Sequence, residues 1–245
     1  MIYKYKIFVI THNKIFENIY NNIDISNLIF INISNKKLEE PLYKKYNIID
    51  IKTYSNFISI GDYYTESEVI YNIYKNKLYN GLTHIGFSHY DVGVKCMNTD
   101  KNIINTVNEN INNKYHLNIS PFEFVYDYGQ HILADETKPN TITGFGKNCY
   151  DFIINEYNNF YNTSYSVGDI KSIVNLCSCF FIDIERFENM MIWISDIIER
   201  KILNQFDTNR LYRIQGGLLE RFYAVWLSLN VNETDLLYCE HKKDW

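Results

Sequence analysis

The stretch that most constrains the fold runs from Thr83 to Val94: Thr-His-Ile-Gly-Phe-Ser-His-Tyr-Asp-Val-Gly-Val. It opens as an apolar, aromatic run of the kind that forms a buried strand. It ends in two metal-competent side chains, His89 and Asp91, with glycines at Gly86 and Gly93. Alternation along a strand puts His89 and Asp91 on the same side. In an open α/β sheet, ligands bind beyond the carboxyl ends of the strands, so this His-x-Asp is expected at the centre of an active site. The plainer reading of the same residues is a polar strand end hydrogen-bonded to a loop.

A chain of 245 residues with 46% hydrophobic residues is long enough to bury a full core, and 1–245 is read as a single domain. Asn, Ile, Lys and Tyr are abundant, and all four have A/T-rich codons, so the excess reflects coding bias rather than function. That bias makes the rarer residues more informative. Every arginine (Arg186, Arg200, Arg210, Arg213 and Arg221) falls in the last quarter of the chain. A net charge of -5 without a basic block argues against a nucleic-acid partner. The five cysteines are scattered, and Cys177-x-Cys179 lies in an apolar run, which predicts reduced, mostly buried thiols and a cytoplasmic setting. The N-terminus lacks the apolar core of a signal peptide, and no run reaches transmembrane length.

In chain order, Lys4–Thr11 reads as a first strand ending in polar Thr11-His12-Asn13, and Asn27–Ile33 as a second, followed by a charged loop through Lys36, Glu39 and Pro41. Thr65 is placed to cap a helix reaching about Asn80, with Val69, Ile70, Ile73 and Tyr74 as its apolar stripe. Helix followed by strand is the rhythm of a parallel sheet. Beyond the central strand come a helix from Asn98 or Thr99 to Asn113, an extended Tyr115–Tyr126, and a polar loop over Asp135–Asn148 of the length of a lid. Tyr150–Tyr161 predicts a helix, Leu176–Ile184 a strand, and Phe187 to Ile202 a long amphipathic helix. Gly216-Gly217 then precede a last helix over Leu218–Leu229, with Leu218, Leu219, Phe222, Trp226 and Leu229 facing inward.

Three segments together carry a resemblance. Tyr64-Thr-Glu66 opening a helix that ends in Lys75-Asn76 is followed by Ile85-Gly86-Phe-Ser-His89-Tyr90. The first strand ends Thr11-His12-Asn13-Lys14, and a late helix carries Glu220-Arg221 and then Trp226-Leu227. This pattern resembles the capsule and lipopolysaccharide-type glycosyltransferases long catalogued as a domain of unknown function. It departs where that family has Arg-Arg after His-Tyr, since this chain has Asp91-Val92. The resemblance implies a GT-A-like (Rossmann-like) α/β fold, a mixed, mostly parallel sheet flanked by helices. The departure at Asp91-Val92 points to the Asp-x-Asp logic of nucleotide-sugar enzymes with that fold.

Transfer from a nucleotide diphosphate sugar needs the leaving diphosphate stabilised, usually by a hard divalent cation held by carboxylates. On this reading Asp91 is the carboxylate ligand and His89 a second ligand or its support, and imidazole suits Mn2+ better than Mg2+. The resemblance adds His241 as a further ligand folded back from the tail, where Leu236-Leu237-Tyr238 offers an anchor. It places Thr11 and His12 where the nucleotide enters, and Glu66 against donor or acceptor. Tyr63, Tyr64 and Tyr90 are the stacking candidates, although with 22 Tyr each is also a packing residue. Glu220 lies off the apolar stripe of its helix by more than a right angle, so it faces solvent or a cleft, and it is the leading catalytic carboxylate with Asp91. Asp169 and Asp183 are further base candidates by type alone. Gly216 and Gly217 permit close backbone approach at a helix N-terminus suited to an anion, and Arg210, Arg213 and Arg221 suit phosphate or, equally, ordinary salt bridges.

The expected activity is therefore that of a metal-dependent glycosyltransferase of the hexosyltransferase class, moving a sugar from a UDP-sugar type donor to a glycan or glycoprotein acceptor. Two rivals remain. A nucleotidyltransferase would show a Gly-rich basic loop after the first strand, and Thr11-His12-Asn13-Lys14 has no glycine. The other is an inactive carbohydrate-binding or scaffold domain.

Overall fold

The computed structural model describes residues 4–21, 24–90, 107, 116–118, 149–170, 178–205, 214–232 and 236–238. Its strands are β1 (Tyr5–Thr11), β2 (Leu28–Asn32), β3 (Ile48–Asp50), β4 (His84–His89), β5 (His116–Asn118), β6 (Phe180–Asp183) and β7 (Leu236–Tyr238). They form one sheet in the order β3-β2-β1-β4-β6-β5-β7. The run β3-β2-β1-β4 is parallel throughout, β6 is antiparallel to both β4 and β5, and β7 closes the far edge parallel to β5. The helices are α1 (Glu40–Lys45), α2 (Glu66–Lys75), α3 (Cys149–Tyr161), α4 (Ile184–Glu199) and α5 (Ile214–Asn230). This is the α/β class the sequence predicts, with a mixed, mostly parallel sheet flanked by helices. Among the described residues no helix is long and apolar enough to cross a membrane.

Strand alternation divides the core between the two faces. Phe8, Ile10, Ile31, Ile85, Phe87, Phe180 and Ile182 pack against α2, α3, α4 and α5. Ile7, Val9, Leu28, Phe30, Cys179 and Phe181 point the other way, toward Ile15, Tyr20, Tyr46 and α1. A strand covered on both faces has to be apolar at every position, which is why Ile7-Phe-Val-Ile10 shows no polar alternation. Cys149 and Cys179 are buried.

Polar side chains fix α2 along its length. Glu68 is buried, and its Oε1 accepts the backbone N–H groups of Ile60 at 2.9 Å and Gly61 at 3.3 Å. Asn72 accepts from Ile58 N–H and donates to Ile58 C=O, each at 2.8 Å, so the 58–61 loop is stapled to the helix. At the far end Tyr79 donates to Glu188 of α4 at 2.8 Å, and Lys77 donates to both. Hydrogen bonds from Tyr79 first, and from Lys77, hold the Glu188 carboxyl below its ordinary value.

Several expectations are corrected. The helix predicted to reach about Asn80 stops at Lys75, because Lys77 takes a left-handed φ of 53° and Leu78 N–H turns back to Ile73 C=O at 3.0 Å. The same device, Lys201 at φ 56°, ends α4 before Ile202, which enters a separate short turn. The Lys36–Pro41 loop runs into the unexpected α1, whose first turn holds Pro41, and then into β3. Strand β6 begins only at Phe180, after Ser178 at φ 51°. Gly216 and Gly217 lie inside the first turn of α5 rather than before it, since that helix begins at Ile214. Of the predicted helix to Asn113 only Val107 is described, helical and buried, and the loop over Asp135–Asn148 and all of Tyr115–Tyr126 but β5 lie outside the described residues.

Gly86 sits mid-strand where β4 is squeezed between β1 and β6. A Cβ there would meet Phe181 Cδ2 at 2.8 Å and Ile7 Cγ1 at 3.1 Å. Gly86→Ala should therefore lower stability by about 1–3 kcal/mol through overpacking, read as a lower urea midpoint with unchanged slope. An unmoved midpoint would mean that Phe181 swings clear. His84, stacked on Phe181 at 5.5 Å, is shifted below its ordinary 6.5 by burial, with Asp183 partly opposing. Its neutral form is the one the fold favours, so its contribution is complete above 6.5 and is lost as pH falls through the lowered folded-state value. His84→Phe keeps the stack and should flatten that part of the acid limb, measured as unfolding free energy on either side of the window.

Candidate functional site

The chain order of the parallel strands creates a crevice. From β1 the chain moves outward to β2 and β3 and then returns to β4 on the other side of β1. The carboxyl ends of β1 and β4 are therefore the topological switch point, where the connections diverge and leave room for a ligand. His12 follows β1 and Tyr90 follows β4, and the strands stay joined up to Tyr90 N–H donating to Ile10 C=O at 3.1 Å.

Four of the expected residues meet there. His12 Nε2 lies 2.7 Å from Glu66 Oε1, a contact between residues 54 apart in sequence. A carboxylate only accepts, so Nε2 carries the proton. The Glu66 side chain is 7% exposed and that of His12 34%, so the carboxylate lies beneath the imidazole at the crevice. The His12 ring meets Tyr90 edge-on at 6.0 Å, and Tyr90 stacks on Phe16 at 5.7 Å with nearly parallel planes. Lys14 Nζ sits 4.2 Å above the other ring of that stack, Phe16. Thr11 is wholly buried, and its hydroxyl donates to Lys14 C=O, so it shapes the turn that presents His12.

Glu66 is the first residue of α2, and the residue before it is unusual. Thr65 has φ 51° and ψ -123° and makes no side-chain capping bond, contrary to the capping role the sequence predicts. This is a turn conformation that glycine dominates, and for a β-branched residue it costs on the order of 1–3 kcal/mol. The neighbour that confines it is α5: a Cβ on Gly216 would lie 2.6 Å from Thr65 Oγ1, 3.0 Å from Tyr64 C=O and 3.2 Å from Tyr63 C=O. The close backbone approach expected at Gly216 is thus made by the chain's own 63–65 segment.

Residues 216, 220 and 223 fall on one face of α5. Gly216 meets Thr65, and Tyr223 lies against Ser67. Glu220 sits between them, partly exposed on a helix whose other residues from Leu218 to Ser228 are buried. Burial pushes the Tyr223 hydroxyl up, and the Glu220 charge adds to the push. Arg221 is 3% exposed, and its guanidinium donates to Gly217 C=O at 2.8 Å, so part of its donor set serves its own helix.

His89 continues the Ile85 and Phe87 side of β4, facing the layer of α2 to α5. Asp91, Arg210, Arg213 and His241 lie outside the described residues. Leu236–Tyr238, expected as an anchor for the tail, forms β7 at the sheet edge. Among the described residues no group of three His, Cys, Asp or Glu side chains is gathered as a metal site would need. Asp183 and Asp169 are occupied locally. Asp183 caps α4, accepting from Arg186 N–H at 2.8 Å and from its guanidinium at 2.6 Å. Asp169 accepts from Ser166 N–H at 2.7 Å and from its hydroxyl at 2.8 Å.

The sequence reading missed a second polar group at the same sheet edge. Asn32, wholly buried at the end of β2, donates to Asp50 Oδ1 at 2.7 Å and to Lys36 C=O at 2.8 Å, and Tyr43 donates to Asp50 at 2.9 Å. The available signal was a single polar residue closing each of two apolar runs.

No known protein-family model matches the chain, and no curated protein matches it. Among solved structures it is similar to one titled as the apo structure of WbbM, a bifunctional glycosyltransferase, with a TM-score of 0.49 and 14% identity. The likeness covers 98% of this chain and 46% of that one, so the chain spans less than half the length of that protein.

If His12 and Glu66 act as a pair, a double-mutant cycle of His12→Gln and Glu66→Gln on unfolding free energy should return a coupling of about 0.5–3 kcal/mol. Simple additivity of the two single changes would dissolve the pair.

Proposed function

We propose that the chain is a glycosyltransferase that moves a sugar from a nucleotide diphosphate sugar, with UDP as the nucleotide, to a glycan or protein acceptor. The observation that supports this most is the meeting of His12, Glu66 and Tyr90 at the switch point of the sheet. They come from two of the three segments of the resemblance, and the crevice is where such a sheet takes a ligand. In this reading Thr11 shapes the turn, and His12 and Tyr90 flank the nucleotide. Glu66 orients the imidazole toward the ligand. Glu220, on the α5 face beside the start of α2, handles sugar hydroxyls as a base or acceptor. Gly216, Gly217, Arg221 and Arg213 belong to the supporting helix and its approach.

A divalent cation, Mn2+ or Mg2+, when bound supplies positive charge for the leaving diphosphate. The described residues contribute only His89 to the proposed ligand set, with Asp91 and His241 as its other members. A nucleotidyltransferase would instead take a nucleoside triphosphate, and a scaffold would take glycan without nucleotide.

A thermal-shift panel of nucleotide sugars, with and without Mn2+, tests the proposal, because a ligand that binds only the native state at 100 times its Kd stabilises by about 2.7 kcal/mol. UDP-sugar with Mn2+ should raise the midpoint, and Asp91→Asn should abolish that rise while leaving the unliganded midpoint unchanged. A panel in which no nucleotide sugar moves the parent protein overturns the reading.

A further inference from the structure

We infer that Gly216 and Thr65 form a positioning lock: the bare backbone of α5 at Gly216 holds Thr65 in its left-handed conformation, and this aims the Glu66 carboxylate at His12. The inference deepens the proposed function and rests on it for the role of the His12–Glu66 pair, but its geometry is independent of any ligand.

Three observations converge on it. Thr65 is the residue of α2's entry that a β-branched side chain should avoid, with φ 51° and ψ -123°, and no hydrogen bond from its side chain to the helix compensates. Such a conformation persists only where the surroundings over-determine it. One part of those surroundings is Gly216 of α5. A methyl group at Gly216 would stand 2.6 Å from Thr65 Oγ1 and within 3.2 Å of the Tyr63 and Tyr64 carbonyls, so helix and segment cannot both keep their places with any larger residue. Glu66 follows Thr65 directly, and its buried Oε1 is already at 2.7 Å from His12 Nε2, leaving little slack in the aim. The rest of α2 is held by Glu68 and Asn72 on the 58–61 loop. A shift forced at residue 65 is therefore concentrated at Glu66 rather than spread along the helix. Gly216 acts through Thr65 and Glu66 and has no need to touch a ligand.

The test is Gly216→Ala, alone and combined with Thr65→Gly. The His12 ring is read by long-range proton–nitrogen NMR, assigned with His12→Gln, and folding is checked by near-UV circular dichroism. The parent should show a downfield Nε2 proton. Gly216→Ala should lose that downfield resonance. Adding Thr65→Gly removes the Oγ1 in closest contact and lets residue 65 adjust freely, so the double variant should regain it. If Gly216→Ala does not fold, the double variant should regain both fold and resonance. A folded Gly216→Ala that keeps the parent resonance overturns the lock, and so does a double variant that fails to recover it. UDP-sugar turnover, followed in parallel, separates the two proposals. A parent with the resonance but no turnover on any nucleotide sugar overturns the function alone, and a parent with turnover whose Gly216→Ala keeps the resonance overturns the lock alone.

Discussion

The molecule depends on β1. It is hydrogen-bonded on both edges, to β2 and to β4, and buried on both faces, so it fixes the plane, the twist and the register of everything else. The register sets Thr11 beside Asn32, and Asn32 beside Asp50, which puts a row of polar residues along the carboxyl edge. Because the chain leaves β1 in one direction and comes back on the other side, that edge also contains the crevice. The position of His12 is thus a by-product of sheet order before it is a matter of its own chemistry.

Much of this was legible from residue pattern. Continuous apolar runs found β1, β2 and β4, and the 3.6-residue spacing of Phe187, Met190, Met191, Ile194 and Ile198 found α4. The elements the sequence hid are short: α1 and β3 lie in a charged segment whose structure comes from docking Leu42 and Tyr46 on the sheet, not from local periodicity. Helix ends were misplaced because the usual signal, glycine, is absent at Lys77 and Lys201. The pairing of His12 with Glu66 was beyond the reach of local pattern altogether, since the two residues lie far apart in the chain and meet only after β4 has paired with β1 and α2 has packed against the sheet.

Gly216 shows what a missing side chain can make room for. A glycine pair near a helix start suggests room for an anion. Its neighbours are instead three atoms of the 63–65 segment, so the space left by the missing side chain is already filled by protein. Arg221 follows the same logic: a rare arginine suggested phosphate, and the fold buries it and turns one of its donors to the Gly217 carbonyl. In both cases composition identified an exceptional position, and packing decided what the exception was for.

Lys77, Asn162 and Lys201 follow the ends of α2, α3 and α4 in left-handed conformations, with φ of 53°, 54° and 56°. A side chain in that region costs roughly 1–2 kcal/mol that glycine would avoid, and glycine's looser unfolded chain gives back about 0.5–1 kcal/mol of the difference. The balance leaves each stop below its optimum by a few tenths of a kcal/mol to about one. A chain with the same fold and glycine at these three stops would carry a wider margin against unfolding without a single new contact.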